Sequence, residues 1–206
     1  RVRNGKSFST RRVTAVQKGR TIFIMTASFQ IAEEGFVHQF KMPSVPSPED
    51  LPTDIERMEK SLPRLTEEQR KTLCRERPIE LRRVEAIDFA NPKRKSPVQH
   101  IWLRSKERLG NQYSEHQGFL AYASDMGLLS TSSLPHGMSW LNGLQTASLD
   151  HSMWFHDSFR MDKWILAVIE SPTASNSRAF NRGLMFSAEG ALIASVSQEG
   201  LMRVRK

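Results

Sequence analysis

Hydrophobic and polar positions are mixed over strand length in two neighbouring stretches, residues 7–17 and 21–30. Both read as β-strands. Lys18-Gly19 between them is a hairpin turn signal. In the second strand Phe23, Met25, Ala27 and Phe29 share one face, with Ile22 and Ile24 on the other. The expectation is a strand buried on one side and partly covered on the other. From residue 33 the pattern breaks. Residues 42–52, MPSVPSPEDLP, carry four prolines in eleven and predict an extended, solvent-exposed segment. A short helix is expected over 55–62. A second starts after Thr66, with Gln69 in the capping-box position.

From Pro78 a second regular region is predicted, with strands over 79–84 and 100–104 and a helix over 116–129 capped by Ser114. The apolar residues Phe119, Leu120, Ala121, Tyr122, Ala123, Met126, Leu128 and Leu129 nearly encircle that helix, which predicts burial on all sides. Strands follow over 145–151, 164–170, 177–186 and 191–199, with a turn at Ala188-Glu189-Gly190. One buried helix followed by antiparallel strands implies a sheet wrapped around the helix, an α+β arrangement. The expected division is 1–32, then a linker over 33–77, then 78–206.

Composition narrows the field. The chain has 206 residues, of which 38% are hydrophobic, enough for a real core. It holds no apolar run of about eighteen residues, so no membrane-spanning helix is expected. The only cysteine, Cys74, excludes an intramolecular disulfide and a cysteine-based zinc cluster, in keeping with a reducing compartment. Cys74 is expected to be a partly buried residue at a helix end. The net charge of +8 suits a phosphate-rich partner, either nucleic acid or a phosphorylated carrier such as coenzyme A. Aromatic residues are not interleaved with the basic ones and no nucleic-acid-binding signature is present, so no nucleic-acid partner is expected. No cofactor and no metal site are expected.

The string SLDHSMWFH, residues 148–156, is the least ordinary text in the chain and fits neither a plain strand nor a plain loop. Asp125 stands in the apolar helix, where a carboxylate needs a partner. It is a general base, an Asp bonding a neighbouring strand, or the mark of a helix that ends early. Ser148 interrupts a strand pattern and reads as a small strand residue or a hydroxyl with a purpose. No G-x-S-x-G elbow occurs; Gly137-Met138-Ser139-Trp140-Leu141 lacks the second glycine. Gln198 can donate to one group and accept from another. His151 and His156, beside Asp150 and Asp157, lack zinc-ligand spacing; structural hydrogen bonds are the expectation, a His–Asp pair the alternative.

LAYASDMGLLSTSSLPHG, SLDHSMWFHDSFRMDKWIL and SVSQEGLMRVRK together closely resemble the acyl-CoA thioesterase II family of double hot-dog enzymes. FSTRRVTAVQKGRTIFIMTASFQ resembles the last strands of that family's first hot-dog unit, and HQFKMPSVPSPEDLP its proline-rich linker. The resemblance implies two hot-dog units, each an antiparallel sheet around a central helix, with the first incomplete in this chain, so that the apolar faces at Phe23, Met25 and Phe29 are expected to lose their cover. Members have a further N-terminal stretch with an opening strand, a central helix and a Gly-Gly-Gln motif, so the chain is expected to be a fragment. The implied reaction is hydrolysis of a fatty acyl-CoA to fatty acid and coenzyme A. The implied trio falls on Asp125, Ser148 (where many members carry Thr) and Gln198. Trp154, Phe155, Met126 and Phe119 are candidates by type for an acyl tunnel, with core packing the equal alternative. A cytoplasmic homo-oligomer completes the expectation. The competing readings are an acyl-CoA hydratase, whose N-D-x-N-x-x-H-like loop is not found, and a non-catalytic acyl-CoA-binding or oligomerising module.

Overall fold

A computed structural model describes residues 2–59, 63 and 65–205. The chain forms two compact units, Arg1–His38 and Gln39–Lys206. The first is an antiparallel sheet of β1 (Arg3–Asn4), β2 (Phe8–Gln17) and β3 (Arg20–Gln30) in that order. Lys18 and Gly19 close the hairpin with positive φ angles of 49° and 75°, a turn whose twist matches the strands. The burial read from the strand pattern alone is corrected, and Phe23, Met25 and Phe29 are exposed, as expected of an incomplete first unit. Ile22 is 60% exposed and Phe29 58%, on opposite faces. A sheet buries a face only where a second layer lies on it, and within the first unit the described residues supply none.

The second unit carries α1 (Asp54–Glu59), α2 (Glu67–Leu73), β4 (Ile79–Arg83), β5 (Val98–Ser105), α3 (Tyr113–Ser124), α4 (Leu128–Ser133), β6 (Leu144–Ser148), β7 (Ser152–Phe155), β8 (Ile165–Ser175), β9 (Arg178–Ser187) and β10 (Leu192–Val204). Its strands run in the order β4-β5-β8-β9-β10-β6, with β7 also paired to β10; every pairing is antiparallel. Thr66 caps α2 with the reciprocal capping box its sequence announces. Part of the helix expected over 55–62 falls on residues 60–62, outside the described residues. Cys74 lies at the end of α2 but is exposed, not partly buried.

Period-two alternation decides which side chains meet the helix. Ile101 and Leu103 of β5 and Ile165, Ala167 and Ile169 of β8 face Leu120 and Ala123 of α3. Their neighbours Trp102, Trp164, Leu166 and Phe186 form a second apolar layer on the other face. The proline-rich segment lies there. Met42, Val45 and Leu51 pack on the tryptophans. The Trp102 indole donates to the Pro46 carbonyl at 3.0 Å, and the Trp164 indole donates to Glu49 Oε1 at 2.8 Å. Arg82 donates to the carbonyls of Pro48 and Leu51. This corrects the expectation of solvent exposure. Proline rigidity makes the segment extended, and the tryptophans give it a surface to lie on.

The helix expected over 116–129 is two helices. It breaks at Asp125-Met126-Gly127, where Gly127 takes φ 102°. Nor is it buried all round: Gly118, Ala121 and Tyr122 are exposed, Tyr122 by 53%. The sheet covers one side only, and the apolar pattern does not say which. Ser114 is not the cap; Gln112 occupies that position without a side-chain bond. Strand β7, inside the SLDHSMWFH string, is an addition to the expected set.

The entry to α3 is tied down by Asp162. Arg160 grips both its oxygens at 3.0 and 2.7 Å, and the Leu109 N–H donates to it at 3.1 Å. The guanidinium holds the Asp162 carboxyl down from its ordinary 3.8 to about 2. A depressed folded-state pKa stabilises the fold above the ordinary value and ceases to do so as pH falls toward the folded value. Asp162→Asn is therefore expected to lower the melting temperature at pH 7 by roughly 3 °C. That difference should shrink between pH 3.8 and about 2 in thermal scans across pH.

Candidate active site

Strand β10 is long enough to hold two short partners on one edge. Its first part pairs with β7, from Ala194↔Phe155 to Ser197↔Ser152; its last part pairs with β6, from Gly200↔Ser148 to Val204↔Leu144. Between them three residues, 149–151, face two, Gln198 and Glu199, so the edge chain bulges. The Asp150 carboxylate accepts from the Glu199 N–H at 2.9 Å and the Leu149 N–H donates to the Glu199 carbonyl, which keeps the ladder satisfied through the bulge.

Ser148 stands at the lip of this break. It faces Gly200 directly and is therefore the diagonal neighbour of Gln198 on the helix side of the sheet. Gln198 is 1% exposed. Its Nε2 donates to Asp125 Oδ1 at 2.5 Å and to Ser148 Oγ at 3.0 Å. A primary amide has two hydrogens, and this one gives one to each partner. The three residues singled out in the sequence thus meet, from the end of α3, the end of β6 and the middle of β10. Asp125 reaches the others because it terminates α3 rather than lying inside it; it is exposed. Gly200 lies close under α4 beside them: a Cβ there would sit 2.5 Å from Leu129 Cδ1 and 3.2 Å from the Ala147 carbonyl oxygen, so the leucine would have to move.

The histidines of the string are not paired with aspartates. His151 Nε2 lies 2.8 Å from Ser124 Oγ, and that hydroxyl donates to the Ala121 carbonyl. The imidazole therefore serves as the donor, tying the last turn of α3 to the chain just past Ser148. His156 Nε2 lies 2.8 Å from Ser195 Oγ. Asp157 accepts from the Ser158 N–H. Ser139 caps a short 3-10 turn and donates to the Phe89 carbonyl, a structural task.

Of the expected acyl-tunnel residues, Phe119 and Met126 are half-buried against the core. Phe155 stacks on Phe159, and Trp154 is 53% exposed. With Tyr122 one turn before Asp125 and Leu149 just after Ser148, they leave apolar surface exposed on the segments that flank the trio. No group of three or more His, Cys, Asp or Glu among the described residues could hold a metal ion, and none of their helices is long and apolar enough to cross a membrane. Sequence reading missed Asn181, a buried amide opposite Gln198 on β9. Its signal was available, because Ala179, Asn181, Gly183 and Met185 share one parity and only Asn181 is polar.

An antiparallel sheet around one central helix is the hot-dog arrangement. A protein from Alicyclobacillus acidocaldarius described as having a hot dog fold superposes with a TM-score of 0.76 at 17% identity, over 100% of this chain and 71% of that one. The family model for acyl-CoA thioesterases matches residues 70–201, and the chain belongs to that family. It is 40% identical over 213 residues to acyl-coenzyme A thioesterase 8 of Mus musculus, covering 100% of this chain and 66% of that protein. The chain thus spans a little under two thirds of the length of this curated relative. The acyl-CoA thioesterase II structure from Mycobacterium marinum matches at 38% identity and a TM-score of 0.78, over 100% of this chain and 72% of that one.

The position of Asp125 depends on Gly127. A side chain there would meet a φ of 102° and place its Cβ 2.5 Å from Ile101 Cδ1. Gly127→Ala is expected to destabilise the second unit by about 2 kcal/mol, read as a lower urea midpoint with an unchanged slope.

Proposed function

We propose that the chain is the part of an acyl-CoA thioesterase that carries its hydrolytic residues, with fatty acyl-CoA as substrate. In this reading β1–β3 are the closing strands of a first hot-dog unit. The observation that carries the reading is the division of the Gln198 amide hydrogens between a carboxylate and a hydroxyl. Such an amide aligns a base and a second hydrogen-bonding group around one point, without itself taking or giving a proton.

Asp125 Oδ1 is occupied by Gln198, so its other oxygen is the base for a water. Ser148 gives the same water a second partner, which fixes the lone pair aimed at the thioester carbonyl. Attack forms the carbon–oxygen bond while Asp125 takes the proton. Collapse then breaks the carbon–sulfur bond, and the thiolate recovers the proton from Asp125. A thiol with a pKa of about 8.5 leaves without a strong general acid, so no histidine is required. The exposed apolar side chains of Tyr122, Leu149, Trp154 and Phe155 provide the surface for the acyl chain, while Phe119 and Met126 back it from the core.

The test is thiol release from a medium-chain acyl-CoA by this chain and by Asp125→Asn. The variant is expected to lose turnover by about 10²–10⁴-fold. Mass spectrometry under turnover should find no acyl group on Ser148. An acylated Ser148 would replace the activated-water mechanism with a nucleophilic one. Acyl-CoA retained without thiol release would favour the binding-module reading.

A further inference from the structure

Asn181 and Gln198 are directly opposed on β9 and β10, so their side chains leave the same face of the sheet with Cβ atoms about 5 Å apart. Asn181 is 0% exposed and Gln198 1%. Both polar atoms of the Asn181 amide, and Oε1 of Gln198, are shielded from solvent without a hydrogen-bond partner among the described residues. Three such atoms, one donor and two acceptors, thus sit on two side chains that leave the sheet side by side. By contrast Gln99, also 0% exposed, uses Oε1 for Arg83 and Nε2 for Thr131; the other buried side-chain atoms without a partner among the described residues, Arg57 Nε and Ser105 Oγ, each stand on a single residue and not on a facing pair.

We propose that Asn181 is the positioning residue of the trio: its Nδ2–H holds Oε1 of Gln198 through one bridging water, and so fixes which way the Gln198 amide faces. This deepens the hydrolytic reading above and rests on it. The orientation matters because a turned amide would present Oε1 to Asp125 and withdraw the donor from Ser148. While Asp125 is ionised, its charge favours Nε2 without help. Once Asp125 has taken the water's proton, that preference is gone, and a protonated carboxyl would as readily donate to Oε1. An amide held from behind keeps Nε2 on Ser148 through this step and returns the proton to a site of unchanged geometry. Asn181 touches neither substrate nor reacting atoms; it acts through Gln198 alone.

Asn181→Leu separates this role from packing. Removing polar atoms that have no partner relieves a burial cost, so a merely structural Asn181 predicts an equal or higher melting temperature and unaltered chemistry. The proposal predicts instead that kcat falls by about tenfold with KM unchanged, the effect of one lost hydrogen bond. A second readout is independent of turnover. In ¹⁵N-labelled protein the Gln198 side-chain amide, assigned by its loss in Gln198→Ala, should exchange with solvent at least about tenfold faster in Asn181→Leu. Asn181→Ala, which adds no bulk, carries the same expectations should leucine not fit. Unchanged amide exchange in the folded variant overturns the proposal. Accelerated exchange in a chain that releases no thiol from acyl-CoA supports the Asn181–Gln198 contact and overturns the hydrolytic reading instead.

Discussion

The buried amide of Gln198 is the constraint around which the second unit is arranged. A side chain 1% exposed must find partners for its donors or pay heavily in free energy. It finds them in a carboxylate and a hydroxyl delivered by two other elements. For both to arrive, α3 has to end at Asp125 and β6 has to end at Ser148. Each ending has a local cause. Gly127 turns the chain with a positive φ that other residues adopt at a cost. The bulge at 149–151 lifts the edge chain off β10 without leaving its backbone unpaired.

A second layer of interactions holds those endings in place. His151 reaches back from the bulge to Ser124, the residue before Asp125, so the two pieces of chain that meet Gln198 are also tied to each other. Leu129 closes over Gly200 from α4. On the far face of the sheet the proline-rich segment covers Trp102 and Trp164, which leaves the helix side as the face where polar groups can be organised. The division of labour follows from sheet geometry. One parity of β8 and β9 makes the core with α3, and the other makes the platform for residues 42–51.

Most strands were legible because burial on a pleated sheet writes itself as alternation, and the Thr66 box because its two bonds need particular residues. The break in α3 was not legible. Asp125 followed by an apolar Met126 reads as continued helix, and only the tertiary role of Gly127, beneath Ile101, explains the turn. Strand β7 was hidden for a related reason. Its four residues form no pattern of their own and are strand only because β10 is long enough to offer an edge. The exposure of Ile22, Phe23 and Phe29 shows the converse: an apolar pattern states what a strand can bury, not what lies over it. The trio itself came from resemblance rather than spacing. Seventy-three residues separate Asp125 from Gln198, and no local period connects them.

Asn181 marks where physical reading goes beyond resemblance. Within β9 it is a polar residue in a register position otherwise held by Ala179, Gly183 and Met185. A core position tolerates an amide only if its hydrogen bonds are met, and an apolar residue of equal volume would serve packing as well or better. Its place opposite Gln198 gives the amide a task that packing does not, since the one Gln198 atom left over after Asp125 and Ser148 are served is an acceptor. In the proposed mechanism Asp125 changes charge during the cycle and cannot by itself keep a neutral amide oriented. Geometry that must survive such a protonation needs an anchor whose own charge stays constant, and a buried asparagine meets that requirement.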